Sequence, residues 1–147
     1  EARSATLARQ IAERLRVPND CRVLAEVVAR EHGHIHASLG FGAEATLRLL
    51  ERCDALRRSD RFAQALLACE CDARGRTGFE DRPYPQRQRL LAALQRVMAV
   101  DTATIAAQAA AQGARGPDIG RAIARARVAA LEEAHREANS AQGVSPV

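Results

Sequence analysis

The stretch "RGPDIGRAIARARVAAL", Arg115 to Leu131, decides the fold class. Pro117 suits a first helical position because its missing N–H is one of the groups left unpaired there, and Asp118 complements the helix dipole. Ile119, Ile123 and Ala126 to Ala130 then recur at helical spacing and can face a core, while Arg121 and Arg125, one turn apart, share a side. The spacing predicts a helix from Gly116-Pro117-Asp118 to about Asn139.

Working outward, the same grammar repeats. Gly113 closes an alanine-rich helix that Asp101 caps. Before it, Leu90, Leu91, Leu94 and Met98 mark a helix that follows Pro83 and Pro85. Ser59 or Asp60 caps one carrying Phe62, Leu66 and Leu67, and Leu47, Leu50 and Leu56 define another from about Ala43 to Arg57. Val23, Leu24, Val27 and Val28 form a stripe running from an Asn19 or Asp20 cap to about His32, which leaves Gly33 to Gly42 as a connector. Leu7, Ile11 and Leu15 trace a first helix that stops at Val17-Pro18, since the residue before a proline is pushed away from helical geometry. Residues 72–85 read as a loop, and 140–147 as a disordered end.

The expected class is therefore all-α, about seven helices in a bundle-like array. Composition agrees: three phenylalanines, one tyrosine, no tryptophan and many alanines favour close-packed helices over a β-sandwich. No apolar run is long enough for a bilayer span and no leader is visible, so the chain is expected to be cytoplasmic, with no membrane partner. It begins with Glu1 and its single methionine is Met98, the pattern expected of a fragment. Cys21, Cys53, Cys69 and Cys71 lack CxxC spacing and read as reduced, small apolar residues.

All 22 basic residues are arginine. From Arg74 to Arg127, ten arginines stand against four carboxylates, and the remainder is slightly acidic. A guanidinium grips phosphate oxygens through paired hydrogen bonds, so such an excess fits nucleic acid; a GC-rich genome explains it equally well. Arg115, just before the last helix, together with Arg121, Arg125 and the N-terminal amides, would make an anion site for a sugar-phosphate backbone, or an ordinary solvated face with Glu132 and Glu133 nearby. In "CDARGRTGFEDRPYPQ", Cys71 to Gln86, Arg74 and Arg76 lie among glycines that permit close backbone approach. They would hold phosphate, or pair with Asp72 or Glu80 in a turn that Phe79 and Tyr84 pin to the core. His32, His34 and His36 converge on one metal ion only if their backbone is extended; otherwise they are helix-end histidines. No nucleophile elbow and no marked pair of carboxylates is present.

"ERLRVPND", "EHGHIH", "ARGRTGFEDRPYPQ" and "RGPDIGRAIARARVAAL", in this order, resemble the C-terminal part of bacterial CCA-adding tRNA nucleotidyltransferases, more closely the multifunctional form with an HD-type phosphohydrolase domain. The resemblance covers about Arg14 to His135. It implies an enzyme that adds C, C and A to the tRNA 3′ end from CTP and ATP, with magnesium in an N-terminal head and a divalent transition metal in its HD domain. Neither the head nor its active site falls within this sequence. The implied division is residues 1–40 as the last helices of the HD-type domain and 41–139 as a helical tRNA-binding body and tail. This stretch alone would then position tRNA without catalysis or a cofactor of its own. Better-known members read His-Asp where His32-Gly33 stands, so His32 would be a remnant of the metal site. Two alternatives accompany this reading: a residual phosphohydrolase acting on 2′,3′-cyclic phosphates, and a scaffold that forms a homodimer through faces such as Val23, Val27 and Val28.

Overall fold

A computed structural model describes residues 2–143. Seven α-helices follow one another: α1 (Ala2–Arg14), α2 (Asn19–Ala37), α3 (Ala43–Arg52), α4 (Ser59–Arg74), α5 (Pro85–Met98), α6 (Thr102–Ala111) and α7 (Pro117–Gly143). A single 3-10 turn, Ser38–Gly40, follows α2, and there is no strand among the described residues. The all-α expectation is borne out. No single helix among them is long and apolar enough to cross a membrane.

One cluster of buried side chains runs from Val27 to Leu131. Ile35 of α2, Leu49 and Leu50 of α3, Phe62 and Leu66 of α4, Leu90 of α5 and Leu131 of α7 lie fully inside it. The cluster draws residues from both sides of position 40. α2 packs on α4, α4 on α5, and α7 lies across α3 and α5, with α6 folded back beside it. The α6–α7 hairpin turns at Gly113 and Gly116, both with positive φ (88° and 49°), where a side chain would be strained. Asp101 caps α6 as expected, accepting from the Thr104 amide at 3.1 Å. The Thr104 hydroxyl also donates to it, and these bonds hold the carboxyl below its ordinary range.

Several boundaries differ from the sequence reading. α2 continues through Gly33 to Ala37, so His34 and His36 join His32 on a helix rather than lying in a connector. Burial of Ile35 on its inner face rewards the extra turn more than Gly33 weakens it. α3 stops at Arg52, and Cys53 to Arg57 form turns around Asp54, which has φ 54°. α4 extends to Arg74, placing Asp72 and Arg74 on a helix and shortening the loop to residues 75–84. Pro18 and Arg58, not Asn19 or Ser59, occupy the positions before α2 and α4, and neither supplies a side-chain cap. α7 runs on to Gly143, so residues 140–143 of the expected tail are helical; 144–147 lie outside the described residues.

Candidate nucleic-acid interface

Three chain segments meet at the end of α2. The Tyr84 hydroxyl lies 2.8 Å from His36 Nδ1, and His36 Nε2 lies 3.2 Å from the Asp72 carboxylate. Burial raises the Tyr84 pKa, so the phenol keeps its proton and donates it to Nδ1; Nε2–H then donates to Asp72. The two rings meet edge to face, centroids 5.8 Å apart. Gln86 Nε2 donates to the His36 carbonyl at 3.0 Å, and the Arg89 guanidinium donates to the carbonyls of Leu39 and Phe41. The residues "YPQ" thus clamp the start of α5 onto the end of α2, and Asp72 ties in α4. Tyr84 pins the loop as the sequence implied; Phe79 does not, staying exposed beneath the Arg82 guanidinium, which sits 4.0 Å from the ring centroid.

On this frame the arginines of the loop face outward. Arg74 pairs with Glu70 at 3.2 Å and Arg76 with Asp72 at 3.9 Å, each one turn back along the chain, and their side chains are 46% and 69% exposed. Glu70 also holds Arg87 at 3.0 Å. Exposed pairs of this kind are worth about 0–1 kcal/mol, so a phosphate could take either guanidinium from its carboxylate at little cost. Arg74, Arg87, Leu67, Cys71 and Glu80 line a cleft of about 470 Å³ at this edge.

The second arginine group lies on α7. Arg115, Arg121 and Arg125 are all exposed; Arg121 bonds Asp118, while Arg115 and Arg125 form no ion pair among the described residues. Arg121 and Arg125 open onto a groove of about 400 Å³ between α3 and α7, where Arg48 adds a third guanidinium and Glu44, Glu51 and Glu132 oppose them. This face therefore carries both signs, which the run of arginines in the sequence did not reveal.

The three histidines do not gather at one point. On the helix, His32 and His36, four apart, share a face with their rings edge to face, centroids 6.0 Å apart, while His34 turns away toward Glu31; His32 Nδ1 is 3.1 Å from the Val28 carbonyl and His36 is held between Tyr84 and Asp72. No group of three His, Cys, Asp or Glu residues that could hold an ion gathers among the described residues. Glu31 is buried within a charge cluster, its oxygens 3.1 Å from Arg30, 3.0 Å from Arg52 and 3.3 Å from His34. Sequence reasoning missed this carboxylate, although its place beside Ile35 on the stripe of α2 was a signal. Cys53 and Cys69 are buried, and burial pushes their thiols up to about 12 and about 11, which suits inert packing residues.

Among the described residues the chain is a helical scaffold with exposed arginines along its outer faces. The comparisons are narrower. The chain is 65% identical over 133 residues to the Multifunctional CCA protein of Paracidovorax citrulli, 60% identical to that of Verminephrobacter eiseniae and 59% identical to that of an Acidovorax species. Each match takes in 90% of this chain and spans about a third of the relative's length, 31–32%. Over that third the chain is a relative of the multifunctional CCA proteins, as its motifs implied. No family model and no solved structure matches it.

Proposed function

We propose that this chain is the C-terminal, tRNA-binding part of an enzyme that adds CCA to the tRNA 3′ end from CTP and ATP. Catalysis and its magnesium would belong to a head domain outside these residues, and residues 1–40 would close an HD-type domain while 41–139 hold the tRNA. The observation that carries the reading is the 65% identity to a Multifunctional CCA protein across nine-tenths of the chain. Surface chemistry supports it. Arg74, Arg76, Arg115, Arg121 and Arg125 are exposed, and the clamp of Tyr84, His36 and Asp72 fixes the backbone from which the first two project. Sequence-independent grip on phosphates at fixed spacing suits recognition of tRNA by shape.

The test is fluorescence anisotropy against intact tRNA and a plain RNA duplex of equal charge, across a salt series. Tighter, salt-dependent binding to tRNA is expected. Alanine at both Arg121 and Arg125 should weaken it for most tRNAs alike and reduce the salt slope by about 2. Equal or absent binding would leave recognition to other domains. A residual phosphohydrolase at His32 would need ligands beyond the described residues, where no group of three His, Cys, Asp or Glu residues that could hold an ion gathers. A homodimer has no observation in its favour beyond exposed apolar side chains.

A further inference from the structure

α1 is mounted unusually. It packs on α2 through small residues, with Ala12 buried and Ala5 and Ala8 partly covered, while Leu7, Ile11 and Leu15 stand 48%, 50% and 63% exposed. Amphipathic helices ordinarily turn their large aliphatic side chains to the core. Here the alanines face inward, and the aliphatic stripe lies about a quarter turn around the helix, on a second face. The three residues recur at i, i+4 and i+8, a contiguous stripe about 12 Å long rather than scattered surface apolars. The orientation is locked. Arg9 bonds both oxygens of Glu26 at 3.2 and 2.8 Å, and Arg22 adds a bond at 2.6 Å. The Arg9 hydrogen bond above all holds the Glu26 carboxyl below its ordinary range, so the clamp stays charged near neutral pH.

We infer that the Leu7–Ile11–Leu15 face is a packing seam, covered by the polypeptide that precedes Glu1 in the full-length protein. Two observations choose this occupant over a second copy. The relatives are about three times as long as this chain, and the stripe lies on the element nearest the N-terminus, where preceding polypeptide would enter. Arg9 is taken up by Glu26, but the helix and its end still carry Arg3, Arg14 and Arg16 against Glu13, so two copies paired through this face would bring like charges together. A preceding segment that supplies apolar side chains flanked by carboxylates satisfies both the stripe and its rim.

The inference rests on reading this chain as part of a longer protein, and its test is independent of tRNA. In the full-length protein, with every native cysteine replaced by alanine or serine, Ile11→Cys is labelled with a maleimide and the rate compared with that of the same variant unfolded in urea. Labelling is expected to be slowed at least about tenfold, by the same factor at every protein concentration. Leu7→Cys should behave alike and guards against a local disturbance at Ile11. Rates close to those in urea would overturn the seam, and protection that disappears on dilution would assign the face to a second copy instead. Loss of tRNA binding with protection intact would remove the proposed function and leave the seam standing.

Discussion

The middle of the molecule and its α6 end are equally helical, yet they are held together by different means. In the middle, α2 to α5 bury Phe62, Ile35, Leu49, Leu50, Leu66 and Leu90 completely. In α6 the one buried residue is Ala109, and on α7 no residue from Arg121 to Ala130 is buried. Alanine forms helices readily but brings little apolar area into contact. Helix content thus follows local propensity, while apolar volume decides which part is a scaffold. The thinner end is where Arg115, Arg121 and Arg125 meet solvent.

The sharpest way to break this contrast is Phe62→Ala. It should cost about 4 kcal/mol, through lost burial and a residual cavity, and lower the midpoint of urea unfolding accordingly. A loss below about 1 kcal/mol would mean that the middle is not the anchor. Glu31→Ala comes next, at about 2 kcal/mol, because Arg30, Arg52 and His34 would lose the buried carboxylate they surround but, being half exposed, would regain water. At the other end, Ala106→Gly should cost about 1 kcal/mol within α6, seen as faster amide exchange there with the main transition nearly unmoved. If the whole protein followed, the two regions would be one cooperative unit.

The smallest effect concerns the joint between α5 and α7. Burial first, and the neighbouring Arg89 second, hold the His135 imidazole below its ordinary value. Between its folded value and about 6.5 the unfolded chain binds more protons, so stability falls as pH drops through that window and is level above it. His135→Gln should flatten this part of the profile; an unchanged profile from pH 7 to 5 would show that His135 plays no part in it.

Much of this was legible along the chain. The helix start at Pro117, the Asp101 cap and the Gly113 stop are local chemistry, and the structure keeps them, whereas Pro85, read as the end of the loop, opens α5. The four motifs, in their order, pointed to relatives that the comparisons then returned. Other features misled. Gly33 looked like a breaker and is not one, because Glu31 and Ile35 tie both sides of it into the core. Asp72 and Arg74 looked like loop residues because two prolines and two glycines follow them. α4 nevertheless runs on to Arg74, where the ion pairs from Glu70 to Arg74 and Asp72 to Arg76 support its last turn.

By itself, then, the sequence determined the class, the positions of most helices and the kinship, because capping residues, apolar period and motif order are properties of neighbouring residues. Tertiary structure alone decided what each arginine faces. Arg74 meets Glu70, Arg121 and Arg125 share a groove with Glu44, Glu51 and Glu132, and His36 joins Tyr84 to Asp72 across three chain segments. The physical reason is range. A helix is written in contacts between residues three or four apart, whereas the charge on a surface sums over residues that only packing brings together.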